Sequence, residues 1–376
     1  MKLIVDASNV FEGGGLTYLV ELLRHGEPGE AGITEVELWA PEATLDRLPD
    51  RPWLDKRTHR RLNGGYLARL LWMRRVFPRR AAEADVVFVP SSGWYNCEKP
   101  VVTMCQNLLP LEMEEIEKFF RGGAWKSGLR LLLLRRRHLH AFRQADGVIY
   151  LNDYCRDKVG SLIAGEGRCL ANTAVIPHGV HGQFRHRRES YEFNRPFELL
   201  YVSRVNFYKY QWVIAEAAAR LHAEGLPLRL RLVGEPYNQS AEKLRETIRR
   251  FPVLEEMLTW DHRVPYGELP EVYRSADAYL YGSTCETFGM TLLEAMASGL
   301  PIACSDASSM RGMLQDGGIY YDARSVEACM EAIRRLYGDA HLRRRLGERA
   351  GELAASYRWE ETAQKTFEYL AGFGRR

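Results

Sequence analysis

The feature that most constrains this chain is an alternation that runs twice. Apolar runs of strand length at 3–7, 36–40, 86–89, 101–104, 148–151 and 175–176 are separated by longer stretches with helical spacing. The pattern then restarts, with runs at 199–203, 228–233, 278–281, 301–304 and 319–321. Strands that alternate with helices imply parallel βαβ units, because a parallel neighbour is reached only by a crossover long enough to hold a helix. The segment from Phe184 to Pro196 breaks the pattern, being polar, charged and aperiodic. It reads as a linker between two α/β domains, with expected bounds 1–185, 186–197 and 198–355. Each domain is expected to be Rossmann-like. The two are expected to face a central cleft, since open α/β sheets bind ligands beyond the carboxyl ends of their strands.

Composition narrows the partners. A chain of 376 residues is long enough for two domains. Its 52 Lys and Arg against 49 Asp and Glu exclude a histone-like or tail-driven nucleic-acid binder. No run approaches the roughly 18–20 apolar residues that span a bilayer. An acid already at Asp6 argues against a signal peptide. The seven cysteines (97, 105, 155, 169, 285, 304 and 329) are scattered, odd in number and without a CxxC pair. Reduced thiols in a cytoplasmic protein are expected.

The chemistry concentrates after the run at 278–281. Glu286 falls in the loop that follows it, Phe288-Gly289 forms a turn, and a helix is expected from near Met290 to Gly299-Leu300-Pro301. The helix start, at Met290 and Thr291, offers amides without intrahelical acceptors and the positive end of the dipole, which suits a phosphate. Glu294 lies one turn further on, where a carboxylate can accept from paired hydroxyls. After the run at 199–203, Arg204 and Lys209 stand five apart across a turn and can converge on one anion.

The string Glu286-x7-Glu294, closed by Ala295-Met296-Ala297-Ser298-Gly299-Leu300-Pro301, resembles the signature of retaining glycosyltransferases of family 4, which have the GT-B fold. The resemblance implies that Glu286 contacts donor-sugar hydroxyls and Glu294 the ribose. Backbone amides near Phe288, Gly289, Met290 and Thr291 would hold the diphosphate. Arg204 and Lys209 are similar to the family's Arg-x4-Lys pair, which stabilises the leaving diphosphate. Gly234 and the stretch from Val264 to Leu269 match positions that border the nucleotide. In the first domain, Gly13-Gly14-Gly15 resembles the acceptor-side loop, and Ile176-Pro177-His178-Gly179-Val180 the segment that ends the domain. The closing stretch from Tyr357 resembles the family's last helix, so 356–376 is expected to return to the first domain.

One departure matters. Where the family often has His-Asp, this chain has Gln106-Asn107. These can hydrogen-bond an acceptor but cannot take its proton. In such retaining enzymes the departing phosphate can accept that proton instead.

The implied activity is transfer of a hexose from a nucleotide-diphospho-sugar to a glycan or lipid-linked acceptor, in bacterial surface polysaccharide or glycolipid synthesis. A GT-B epimerase or phosphorylase, and a non-catalytic nucleotide-sugar-binding partner protein, stay open. Gly13-Gly14-Gly15 is not a GxGxxG, and no Walker lysine is present, so a bound dinucleotide is not expected. No two Asp stand at i and i+2, so neither a metal nor a cofactor is expected.

The near-neutral total hides two basic stretches in the first half. Residues 56–80 carry nine Lys and Arg and no acid, and 118–143 carry eight more, again without an acid. Aromatic and leucine residues are interleaved in both. An anionic membrane surface is the expected partner, with an ordinary solvated helix face as the alternative and nucleic acid as the least favoured. The corresponding location is the cytoplasm, peripheral to the inner face of the cytoplasmic membrane.

Overall fold

A computed structural model describes residues 1–94, 96–164, 172–193, 195–237 and 239–374. Cys169, and Asn194 of the expected linker, lie outside them. The chain divides into two compact units. One comprises Met1–Leu111, Leu132–Gly179 and the segment from Tyr357 onward; the other comprises Glu112–Leu131 and Val180–Ser356.

The first unit is built on seven strands: β1 (Lys2–Asp6), β2 (Glu35–Trp39), β3 (Leu54–Arg57), β4 (Val86–Val89), β5 (Val101–Met104), β6 (Gly147–Tyr150) and β7 (Thr173–Val175). They pair in parallel in the order β3-β2-β1-β4-β5-β6-β7. The second unit holds β8 (Phe197–Val202), β9 (Leu228–Val233), β10 (Leu258–Asp261), β11 (Ala278–Tyr281), β12 (Ile302–Ser305) and β13 (Gly318–Tyr321). Its order is β10-β9-β8-β11-β12-β13, again all parallel. Central strands such as β4, β5, β6, β11 and β12 are buried along their whole length. Both faces of a parallel sheet are covered by helices, which is why these strands read as unbroken apolar runs.

Each sheet reverses its order once, between β1 and β4 and between β8 and β11. At such a switch point the two crossovers run to opposite faces and leave a crevice beyond the strand ends. The loops that leave β8 and β11 therefore emerge side by side. They carry Arg204 and Lys209 on one and Glu286 on the other.

The expected first domain, 1–185, is longer than the first unit in two stretches, 112–131 and 180–185. Residues 112–131 group with the second unit. The helix Met113–Arg121 turns Glu115, Ile116 and Phe119 inward. Phe119 meets Phe207 edge to face with ring centres 5.3 Å apart. The last helix, Trp359–Gly374, packs in the first unit against the helix Gly14–His25, with Tyr18 and Thr366 hydroxyls 3.3 Å apart.

Candidate active site

At the switch point of the second unit, Lys209 donates to Glu286 Oε1 in a largely buried ion pair. The same oxygen accepts from the Tyr281 hydroxyl at 2.7 Å. Burial, reinforced by the nearby Glu286, pushes the Tyr281 phenol well above its usual range, so it stays a donor. The backbone of Glu286 is held as well. Its N–H donates to Ser308 Oγ at 3.1 Å, and its carbonyl accepts from Ser308 and Ser309 at 3.0 and 3.2 Å. Lys209 also lies over the rings of Tyr208 and Tyr281, at 5.2 and 5.7 Å. Sequence reasoning missed Tyr281, Ser308 and Ser309. The available signal for Tyr281 was its place as the last residue of a strand beside the switch point.

The helix after Glu286 runs from Met290 to Ala297, with Gly289 as its N-cap at φ +92°. A side chain is strained in that region, and a Cβ there would also crowd Met310 and the Tyr281 hydroxyl at 3.3–3.4 Å. Phe288 is buried just ahead of the cap, which fixes the direction in which the first-turn amides of Met290 and Thr291 point. Glu294 is only 4% exposed. Its Oε2 accepts from the Tyr273 hydroxyl at 2.8 Å, and that hydroxyl is also 3.2 Å from the Thr291 carbonyl. Burial raises the Glu294 carboxyl to about 7, against a smaller lowering by Tyr273. Glu294 is thus a covered carboxylate, one oxygen of which accepts from a tyrosine.

Arg204 takes another direction from Lys209. Its guanidinium lies 3.7 Å from Glu235 and over the Tyr237 ring at 5.6 Å. Glu235 follows Gly234, whose φ is +147°. A Cβ on Gly234 would come within 2.2 Å of the Ser203 carbonyl, so the ends of β8 and β9 approach only because glycine stands there. Val264 is half-buried in the loop after β10.

In the first unit, Gly13 (φ +69°) caps the helix Gly14–His25. A Cβ on Gly15 would lie 2.8 Å from Gln106 Oε1, so the glycine loop and Gln106 are neighbours beyond the carboxyl ends of β1 and β5. Asn107 is used locally, accepting from the Leu109 N–H at 3.2 Å. His178 lies in the segment that ends the first unit. It is 3% exposed, with its ring centre 5.1 Å from Tyr18 and 5.5 Å from Trp359. Burial lowers its imidazole to about 3, so it is a neutral packing residue.

The basic stretches are less bare than their sequence. Acids just outside them pair with Lys56, Arg57, Arg80, Lys118 and Arg121. On the helix Trp125–Gln144, however, Trp125, Leu129 and Leu133 are 67%, 58% and 65% exposed. Spaced by four, they form one apolar stripe, bordered by exposed Lys126, Arg130 and Arg136. Among the described residues, no helix is long and apolar enough to cross a membrane, and no three His, Cys, Asp or Glu side chains gather as a metal site.

Two parallel α/β units, each with a central switch point, define the class of this fold as GT-B. The chain aligns with sucrose-phosphate synthase from Thermosynechococcus elongatus at a TM-score of 0.76 and 17% identity, covering 97% of both chains. It aligns with Anabaena HepE, solved in complex with UDP-glucose, at 0.73 and 17%, covering 99% of this chain and 100% of that one. Residues 183–353, within the second unit, match the model described as glycosyl transferases group 1. D-inositol 3-phosphate glycosyltransferase from Paenarthrobacter aurescens is 28% identical over 245 residues, 62% of this chain and 60% of that protein. The chain spans between 39% and 60% of the length of the first few curated relatives it matches.

Proposed function

We propose that this protein is a retaining glycosyltransferase that moves a hexose from a nucleotide-diphospho-sugar to a glycan or lipid-linked acceptor, in surface polysaccharide or glycolipid synthesis. The observation that carries this reading is the gathering of Lys209, Tyr281 and Glu286 at the switch point, beside a helix start suited to a diphosphate. Glycosyl transfer needs a fixed positive environment where the leaving diphosphate gains charge. Lys209, Arg204 and the amides near Gly289 to Thr291 supply it. Glu286 orients the sugar, and Glu294, released from Tyr273, holds the ribose. The relatives' names support glycosyl transfer, and the UDP-glucose bound by HepE supports a nucleotide-sugar donor.

In their ion pair, Lys209 and Glu286 neutralise each other. Donor entry replaces that pair with Lys209–phosphate and Glu286–hydroxyl contacts, so the site trades one compensated arrangement for another. Fixed cations and amides provide the counter-charge, and transfer proceeds without a metal ion. The departing phosphate takes the acceptor proton, since Gln106 and Asn107 cannot. The Trp125–Leu129–Leu133 stripe with its basic border favours an anionic membrane as the surface on which a lipid-linked acceptor is met.

The test is a screen of nucleotide-diphospho-sugars for transfer and for donor hydrolysis, with the anomeric configuration of the product read by NMR. Retained configuration, with full activity in EDTA, is expected. Inversion, or activity lost in EDTA and restored by Mn²⁺, counts against the mechanism. Release of an epimerised sugar or of a sugar phosphate would point to a different GT-B chemistry.

A further inference from the structure

The chain leaves the first unit after Leu111, lends Glu112–Leu131 to the second, and re-enters the first at Leu132. What that loan accomplishes is visible in its contacts. The Glu115 carboxylate is buried and accepts from the Thr284 hydroxyl at 2.8 Å. Lys118 donates to both Glu115 oxygens at 2.6 Å and lies 5.2 Å from the centre of the Tyr210 ring. Phe119 packs on Phe207, and a Cβ on Gly122 would stand 2.7 Å from the same ring. Thr284 in turn donates its backbone N–H to the Tyr208 carbonyl at 2.8 Å.

These partners are not scattered. Phe207, Tyr208 and Tyr210 surround Lys209 in sequence, and Thr284 precedes Glu286 by two residues. One helix therefore grips both loops of the switch point. Thr284 is the joint, tied by its side chain to Glu115 and by its backbone to the residue before Lys209. A buried, paired carboxylate is a poor way to gain stability, since desolvation offsets most of the attraction, whereas such pairs can fix geometry. We propose that the helix Met113–Arg121 is a positioning element for the donor site. Glu115 and Lys118, acting through Thr284, hold the Lys209 and Glu286 loops at the spacing that the donor requires. This rests on the glycosyltransferase reading for its kinetic consequence, but not for its structural one.

The experiment compares Thr284→Val, which keeps the shape and loses the hydroxyl, with Thr284→Ser, which keeps the hydroxyl. Glu115→Ala serves as the second route to the same break. Transfer kinetics and amide hydrogen exchange of the ligand-free protein are measured on each. Expected for Thr284→Val and Glu115→Ala is a fall in kcat of about tenfold or more, with a smaller change in donor KM. Exchange should quicken selectively at 206–210 and 283–288, including the Thr284 amide itself. Thr284→Ser should stay within about twofold of wild type. Unchanged kinetics and exchange in Thr284→Val overturn the proposal. So does exchange that quickens evenly across the second unit, which marks general destabilisation. If wild type turns over no nucleotide-sugar, the functional reading fails and the exchange pattern still decides the positioning role.

Discussion

Lys209 and Glu286 form an ion pair across two loops that leave adjacent strands, β8 and β11, with Tyr281 completing the acceptor side of Glu286. The pair joins the cation proposed for the leaving group to the carboxylate proposed for the sugar. The two should then behave as one unit. Lys209→Ala and Glu286→Gln should each lower kcat by about 10²–10³ at saturating donor. The double variant should lose little more than the worse single, the signature of strongly coupled residues. Additive losses in this cycle would separate the two roles.

Glu294 makes stability depend on pH in an unusual direction. Burial raises its carboxyl to about 7 in the fold, above the ordinary value of about 4.3. Between those values the native state holds a proton that the unfolded chain has lost. Stability from this group is therefore greatest at low pH and declines as pH rises to about 7, by on the order of 3 kcal/mol. Glu294→Gln should flatten the decline between pH 5 and 8 in urea titrations. Ribose hydroxyls that bond the ionised form should expel the proton. Calorimetry of donor binding near pH 6.5, in two buffers of different ionisation enthalpy, should then report net proton release.

How much of this was legible in the sequence follows from burial. Central strands such as Val86–Val89 and Ile302–Ser305 are covered on both faces, so their composition declared them. The two strands that the apolar runs omitted, Leu54–Arg57 and Leu258–Asp261, lie at sheet edges. There a strand carries Lys56, Arg57 and Asp261 toward solvent at little cost, and its pattern fades. Glu286, Glu294, Arg204 and Lys209 stood out as candidates because their residue types and spacing are uncommon together. Tyr281, Tyr273 and Glu115 did not. Each is an ordinary residue in sequence, and its meaning comes from the strand order or from a helix borrowed from the first half of the chain.

His178 gives the opposite pH behaviour to Glu294. Packed between Tyr18 and Trp359, its imidazole is lowered to about 3, while an unfolded histidine titrates near 6.5. Its contribution is fully present above about 6.5 and is lost as pH falls toward about 3, because only the unfolded chain takes the proton. His178→Asn should lower the melting temperature at pH 7.5 and make its drop toward pH 5 shallower. Turnover per folded molecule at pH 7.5 should stay near wild type. A large kcat loss in a folded variant would instead give His178 a part in the reaction.

Gly234 separates backbone geometry from chemistry. A methyl group there meets the Ser203 carbonyl at 2.2 Å and demands a φ of +147° from an L-residue. Gly234→Ala should therefore cost at least about 1–3 kcal/mol in urea unfolding. The end of β8 and Arg204 should shift with it, so donor affinity should fall further than folding alone explains. Gly160→Ala, in the helix Asp153–Ala164 with open space at its Cβ, is the control and should be neutral or slightly stabilising.

The stripe on the helix Trp125–Gln144 predicts membrane behaviour that the total charge conceals. Trp125, Leu129 and Leu133 present an apolar ridge about two turns long, with Lys126, Arg130 and Arg136 beside it. Insertion of such a ridge gains free energy from apolar burial, and each nearby cation adds about 1 kcal/mol at an anionic surface. Sedimentation with vesicles containing phosphatidylglycerol should show binding at low salt that weakens toward 0.5 M NaCl, where the screening length is only a few ångströms. Vesicles of phosphatidylcholine alone should bind little. Leu129→Ser with Leu133→Ser should abolish the residual salt-resistant part, while Arg130→Gln with Arg136→Gln should remove most of the salt-sensitive part. Both double variants should keep wild-type turnover with a soluble acceptor, since neither touches the residues around Glu286. Equal binding of all three proteins to anionic vesicles would assign the stripe to ordinary solvent exposure.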